Sequence, residues 1–362
     1  MKAVWRAIGT PVVASLIAIV MGGIIAAAIG YSPLQVYGSL ISGAFGGAVQ
    51  TGNTLAGSVP LILAGLGIAV AFRAGLFNIG AEGQYWVATV AAVWIGYHFK
   101  GMPGFLHLIL ILVGAMVVGG LWAGIIPGLL KAYRGAHEVI TTMMLSYVGI
   151  LFAQYCIEPD GPMLEPGYLP QSHAVAQNTW LGPIIYHSQL TWGFAIAIVV
   201  AALVWWILFH TTFGFQLRTV GSNPYAARYA GINVPLYTIL ALGFSGILAG
   251  LAGAVQMLSQ DHRLTQSFSA GYGYTAIVVA LLARNNPFGV ILAGIFFSAL
   301  STGSQNMQLV SGIPQSLTNV LTGLIIFFVA AERIVPMVIR WFQRRKSNRL
   351  QVSLPEGGRT DG

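Results

Sequence analysis

Charge is what this chain has least of. Only 7% of its 362 residues are Asp, Glu, Lys or Arg, where a soluble domain carries about a quarter. With 56% of residues hydrophobic and a mean hydropathy of +0.76, the chain reads as an integral membrane protein. Cys156 is the lone cysteine, which excludes an internal disulfide; near a span end it is a small apolar filler. The seven histidines are scattered, none paired at ligand spacing, so no metal cluster is expected. None of the four lysines sits in a G-x-x-x-x-G-K-[ST] context, so the chain cannot itself bind ATP through a P-loop. Of nine acids, four fall outside, three at the terminal tail or its start, and only Glu82 and Glu138 flank spans. No row of carboxylates deep in the spans offers a proton or sodium relay. A membrane enzyme would need clustered acids with a metal, or a catalytic His or Ser set, and neither is present.

What is present is a series of apolar runs, each to be weighed against the roughly 20 residues that cross a bilayer. They run over residues 11–29, 55–72, 85–97, 105–130, 139–157, 191–210, 236–258, 272–283, 288–302 and 317–331. The third and eighth are short for ordinary spans. Residues 31–54 are small, polar and Gly-rich, the pattern of an outer loop or partly inserted segment, and 158–190 form the longest hydrophilic stretch. Ala26-Ala27-Ala28 mimics a signal-peptide cleavage site, but an uncleaved first span is the expected reading. The expected fold is all-α: a polytopic bundle of about ten helices, one transmembrane domain over 1–362, embedded from 11 to 332 with a basic tail from 333. Both termini are expected inside, because that topology puts 15 of the 17 Lys and Arg residues on the inner side and leaves only Lys100 and Arg263 outside. The high pI of about 9.7 then reports orientation, and the tail an inner-surface lipid anchor rather than a nucleic-acid site. Leu61–Val70 and Gly246–Val255 agree at seven of ten positions. They lie in oppositely directed spans, as an inverted five-plus-five repeat with short or broken helices would place them. Chance similarity between Ala/Gly/Leu-rich helices is the alternative.

A polar island interrupts the apolar pattern at Arg218–Pro235. Asn223 can cap a helix, Pro224 suits its first position and Gly231 its left-handed stop. About two turns, Pro224 to Ala230, are too short to stand alone in water and must dock on something. Tyr225 and Tyr229 share a face at i,i+4, with Arg228 beside them, so this helix is expected to be the handle by which another protein moves the membrane part.

Asn78, Glu82 and Gln84 stand among Gly75, Gly80 and Gly83. Non-helical backbone at membrane depth is tolerated where it lines a cavity, and an intramembrane carboxylate is a functional candidate. The alternative for Glu82 is a structural pairing with Arg73 or Arg134. Glu138 reads as favourable charge at a helix start. Thr141 and Thr142 either face a pathway or bond back to the chain, and Gln315 and Asn319 have the same two readings.

These stretches resemble the permease subunits of bacterial ABC importers, in the group serving ribose-type sugars, branched-chain amino acids and nucleosides. RAGLFNIGAEGQ (73–84) is similar to the hallmark of the nucleoside and simple-sugar branch, and HEVITTMMLSYV (137–148) to its segment at the start of span five. LRTVGSNPYAARYAGINV (217–234) resembles the cytoplasmic coupling helix, and GYGYTAIVVALLARNNPFGV (271–290) a looser fourth block. The resemblance implies that Arg218, Gly221, Asn223, Pro224, Tyr225, Ala226, Ala227, Arg228 and Gly231 couple to an ATPase. It leaves Asn78, Glu82, Gln84, Glu138, Thr141, Ser146 and Asn319 as pathway candidates. It implies two ATPase subunits that bind the ATP, a second permease (identical or homologous), an extracytoplasmic binding protein or lipoprotein, and no cofactor on this chain. The setting is a bacterial inner membrane, the cargo a nucleoside or else a simple sugar such as ribose or galactose. A secondary transporter or channel is the competing class. Two positions depart from the pattern: Ser146 stands where Asn is expected, and Ala283-Arg284 replaces the usual small pair before Asn285-Asn286-Pro287.

Overall fold

The structure is a computed structural model that describes residues 19–99, 101–167 and 169–331. Lys2, Arg6, Lys100, the first part of the first span and the basic tail lie outside the described residues. Helices dominate: α1 (Ile19–Ala28), α2 (Pro33–Phe45), α3 (Ala48–Arg73), α4 (Ala81–His98), α5 (Gly104–Ala123), α6 (Leu129–Arg134), α7 (Glu138–Tyr155), α8 (Gly193–His210), α9 (Thr212–Ser222), α10 (Pro224–Tyr229), α11 (Val234–Gln256), α12 (Tyr272–Leu282), α13 (Pro287–Ser311) and α14 (Ser316–Ala331). Among the described residues extended pairing is limited to three isolated bridges in the 164–191 region and at Thr265. Among the described residues, five helical stretches are long and apolar enough to cross a membrane: Ala48–Arg73, Gly104–Arg134, Gly193–His210, Val234–Asp261 and Pro287–Ser311. The chain divides into two compact units, one of residues 34–315 and one of 1–33 with 316–362.

In the larger unit, α3 and α11 form the centre. Helix α11 packs on α3, α4 and α5, while α3 packs on α11, α12 and α13. The α5–α11 seam is built from glycine. A Cβ on Gly119 would meet the carbonyl of Gly246, one on Gly246 would meet that of Gly119, and one on Gly250 would lie 2.5 Å from the Ala115 oxygen. Lipid supplies no hydrophobic drive between helices, so small residues that let backbones approach carry the association.

Several boundaries differ from the sequence reading, for identifiable reasons. Residues 31–54 hold helix α2 and the first turns of α3 rather than a loop. Their polar groups are satisfied internally: Thr54 Oγ1 donates to the Ala44 carbonyl at 2.8 Å, and Asn306 Nδ2 to that of Gly43 at 3.0 Å. The same contacts explain why α13 continues to Ser311, nine residues past the expected end at Thr302. Lys131 and Arg134 are not in a loop. They sit on α6, which continues α5 through a π turn at Gly124–Gly128, where Pro127 lacks the N–H that a regular helix needs.

Replacing Gly246 by Leu should overpack this seam at a cost of roughly 1–3 kcal/mol or more. It should appear as a lower thermal unfolding midpoint of the detergent-purified chain. An unchanged midpoint would mean that the two backbones are not in contact.

Candidate functional site

Helix α12 has only 11 residues, about 17 Å, which is half the hydrocarbon thickness of a bilayer. Its C-terminal end is tied to the end of α3, where Arg73 Nε donates to the Asn285 carbonyl at 3.1 Å. Its N-terminus therefore opens deep in the protein, and Glu82 meets it there. Gly273 N donates to Glu82 Oε2 at 2.7 Å, and Trp86 Nε1 donates to Oε1 at 3.0 Å. Glu82 is almost fully buried. A carboxylate at the positive end of a helix is favourably placed, and both of its oxygens are used. This carboxylate thus pairs with a helix terminus, not with Arg73 or Arg134. The approach is close enough that a Cβ on Gly273 would overlap the backbone of Glu82.

The segment that delivers Glu82 is irregular from Ala74 to Gly80, with Ala74, Leu76, Asn78 and Gly80 buried and Gly75 exposed. Asn78 Nδ2 donates to Ser245 Oγ at 2.9 Å and to Gln84 Oε1 at 3.0 Å. Asn78 Oδ1 accepts from Gly80 N at 2.9 Å and Gln84 Nε2 at 3.1 Å. Ser245 stands eleven residues into α11, about 17 Å along its axis, so this cluster too lies near mid-depth. From α7, Thr142 Oγ1 accepts from Ile79 N at 3.2 Å and Ser146 Oγ from Gly83 N at 2.8 Å. A Cβ on Gly83 would fall on Ser146 Cα.

The structure thus gathers Asn78, Glu82, Gln84 and Ser146 into one buried polar region. Thr142, weighed above as a pathway residue or one that bonds back, does bond back to the Glu138 carbonyl at 2.7 Å while also accepting from Ile79 N. Ser245 is added, which the sequence offered only as a small polar residue in an apolar helix. Glu138 lies apart, bonded to Lys131 at 2.8 Å, and Thr141 Oγ1 bonds back to the Glu138 carbonyl at 3.2 Å. Asn319 is exposed on α14, in the smaller unit.

The polar island forms as its capping residues dictate. Asn223 Oδ1 accepts from Tyr225 N and Ala226 N at 3.0 and 3.1 Å, and Gly231 takes φ +78°. Helix α10 ends at Tyr229, one residue short of the expected Ala230. Ala227 is its one buried residue, packed with Val220 and Ile232, while Tyr225 and Tyr229 are 77% and 94% exposed. Helix α9 reaches the site's base, for Gly221 lies flush on the backbone of Arg73 and Ala74. The Arg73 and Arg218 guanidinium carbons lie 5.4 and 4.9 Å from the centroid of the Phe209 ring. Beside them opens a cavity of about 440 Å³ whose walls include Phe72, Phe215 and Ser222.

At the other end of α11, the helix loosens into a π turn at Met257–Asp261. Asp261, counted from sequence among the acids outside the spans, closes this 28-residue apolar helix. His262 follows in the left-handed region at φ 55°, its ring stacked on Trp180 at 3.7 Å and 8°. Burial, and then the neighbouring Arg263, hold this imidazole below its ordinary pKa. Tyr85, Trp86, Phe268 and Tyr272 form an aromatic cluster beneath, with centroids 5.4–6.3 Å apart. An acid five residues beyond Gln256, the last residue of α11, was the one signal that could have flagged Asp261.

Residues 50–330 match the family described as "Branched-chain amino acid transport system / permease component". The chain is 37% identical to the guanosine ABC transporter permease protein NupP of Bacillus subtilis, over 93% of this chain and 97% of that one. It is 35% identical to the nucleoside ABC transporter permease protein NupB of Lactococcus lactis, over 92% and 93%. It is 32% identical to the glucose ABC transporter permease protein TsgB13 of Haloferax volcanii, over 90% and 87%. No solved structure matches it.

Glu82→Gln should keep the side-chain size at the α12 cap but lose its charge and, because the amide NH2 cannot accept, one of its two hydrogen bonds, lowering stability by about 1–2 kcal/mol. Glu82→Ala, which leaves Gly273 N–H and Trp86 Nε1 without an acceptor, should cost more, ~2–4 kcal/mol. Thermal unfolding of the two purified variants checks the order; equal midpoints for both and the parent would overturn the cap.

Proposed function

Because the chain belongs to the branched-chain amino acid transport system permease component family, we propose that it is the transmembrane permease of an ATP-driven importer that carries nucleosides. The observation that carries this reading is the likeness, over more than nine-tenths of the chain, to two permeases named for guanosine and nucleoside transport. The likeness to a glucose permease favours simple sugars as the second reading. In this scheme separate ATPase subunits bind the nucleotide, a second permease completes the channel, and an extracytoplasmic binding protein delivers cargo to a bacterial inner membrane.

Helix α10 is the lever between ATPase and membrane. What supports this is its capped, two-turn build, its single buried anchor Ala227, and the exposure of Tyr225, Arg228 and Tyr229. Arg218, Gly221, Asn223, Pro224, Ala226 and Gly231 hold it at that angle. The inner end of the molecule is then the end bearing α10, Arg73, Lys131, Arg134 and Arg284, with both termini on the same side. An inverted repeat accounts for the exchange of contacts described above: α3, the broken segment, α4 and α5 correspond to α11, the loop after it, α12 and α13. In that scheme the network of Asn78, Glu82, Gln84 and Ser146 sets the shape of the pathway at mid-depth. Glu138 steadies α7 at the inner side, Thr141 lies on that same helix, and Asn319, exposed on α14, stays a pathway candidate.

The test is uptake of tritiated guanosine and of glucose into proteoliposomes holding the complete importer, with and without ATP. Guanosine uptake that persists without hydrolysis would end the ATP-driven reading, and glucose moved in preference to guanosine would install the second. In the same vesicles Arg228→Glu and Gly231→Leu should cut ATP-driven uptake at least tenfold while leaving membrane insertion intact. Parental uptake in both variants would remove α10 from the drive train.

A further inference from the structure

The geometry points to a cargo subsite at the outer end of α11, in which Asp261 takes the cis-diol of an uncharged ribonucleoside and the Tyr85–Phe268–Tyr272 aromatic group takes its base. The inference rests on the nucleoside reading and adds to it the residues that recognise the cargo.

Three independent features converge there. The first is an acid without a cation. Asp261 ends an apolar helix of 28 residues, and the one hydrogen bond it receives from the described residues comes from Gln256 Nε2 at 3.0 Å. Arg263, two residues on, is committed to Glu165 at 2.8 Å. Ionisable groups at such places are rare and mark substrate paths.

The second is a set of buried polar atoms without protein partners. Tyr85 is fully buried and its hydroxyl has none; the same holds for Gln256 Oε1. Buried polar groups are nearly always satisfied, so two orphans in one neighbourhood call for a ligand or water. They share that neighbourhood because α11 presses Gly253 against the Tyr85 carbonyl, one turn before Gln256. Asp261 and Glu82 both lie within electrostatic reach of Tyr85 and Tyr272.

The third is the wall. Tyr85 and Phe268 stand 5.4 Å apart at centroids, Tyr85 and Tyr272 6.3 Å, Trp86 and Phe268 5.9 Å. Phe268 and Gly271 belong to the irregular strap after α11, whose upper part is pinned by Ser172 N to the Leu264 carbonyl and Val175 N to that of His262, each at 2.9 Å. Gln260, Asp261 and Tyr272 keep part of their surface exposed, which leaves the group open from that side.

A nucleoside is half planar π-system and half polyol. A carboxylate accepts hydrogen bonds from two vicinal hydroxyls, and base faces stack on aromatic rings for about 1–3 kcal/mol each. No Lys or Arg faces the group in the described contacts, so a phosphorylated nucleotide would meet Asp261 and Glu82 with nothing to neutralise it. The site therefore selects unphosphorylated cargo.

The test uses the purified permease–ATPase complex without its binding protein, with tritiated guanosine as probe and 2′,3′-dideoxyguanosine and guanosine monophosphate as competitors. The parent should prefer guanosine to both. Asp261→Asn should weaken guanosine binding about tenfold and bring the ribo-to-dideoxy ratio close to one. Tyr85→Phe should weaken binding several-fold with the thermal midpoint unchanged. A parental ratio in Asp261→Asn, or competition by the monophosphate equal to that of guanosine, overturns the subsite. Should the parent complex bind no guanosine while the full importer still takes it up, the subsite falls and the nucleoside importer stands. Absence of uptake as well would bring down the function proposed above.

Discussion

Everything in the larger unit answers to one electrostatic demand: a helix that begins in the middle of the protein must have its first N–H groups met by something other than water. In a soluble protein solvent would serve. Here the N-terminus of α12 opens at a depth where an unsatisfied donor costs several kcal/mol, and Glu82 is brought to it. That delivery dictates the rest. The backbone must leave the helical path after Arg73, climb through Gly75 and Asn78, and restart at Ala81. Each polar group exposed by the break then needs a partner, which Ser245, Gln84, Thr142 and Ser146 provide. Gly83 and Gly273 are small because the elements that exchange these bonds lie in backbone contact. A larger residue at either would separate the donor from its acceptor.

Much of this was legible in the residues and some was not. The stretch 73–84 announced a break, since Asn, Glu and Gln among three glycines suit neither an ordinary span nor a surface helix. The cap at Asn223–Pro224 and the stop at Gly231 fixed α10 to within a residue, because capping is local chemistry. Helix α2 and the first turns of α3 were hidden. Hydropathy treats Thr54 and Ser58 as solvent-seeking, but their hydroxyls are consumed by carbonyls within the bundle. The surroundings of Asp261 were hidden for a related reason: a charge at the end of an apolar run looks like a boundary, and only the structure shows the 172–181 strap bonded to residues 258, 262 and 264 beside it. The partner of Glu82 was out of reach altogether, lying 191 residues away in α12.

The two interrupted regions complement each other. One lies between α3 and α4, the other between α11 and α12, and they meet where Glu82 receives Gly273. Broken helices at mid-depth are a costly arrangement in lipid, tolerated where irregular backbone lines a route. On the proposed orientation, the chain would seal its breaks with side chains and keep its aromatic and acidic groups on the outer side of the seal. A barrier with a recognition layer above it is what the proposed permease, loaded from outside, would require.

The route from α10 to that barrier is continuous and short. Ala227 packs on Val220 of α9. One residue further, Gly221 rests on the carbonyl of Arg73, and Arg73 holds the Asn285 turn at the far end of α12. From Ala74 the irregular segment leads directly to Glu82 and the near end of the same half-helix. On the proposed function, a displacement of α10 would reach α12 at both termini, by way of α9 and the end of α3, through the Ala227–Val220 packing, the Gly221 backbone contact and the Arg73 side chain. Two anchors on one short helix would turn a push at the inner surface into a tilt, and tilting α12 would draw Gly273 away from Glu82. In that reading the bond that seals the barrier is the bond the lever is placed to break.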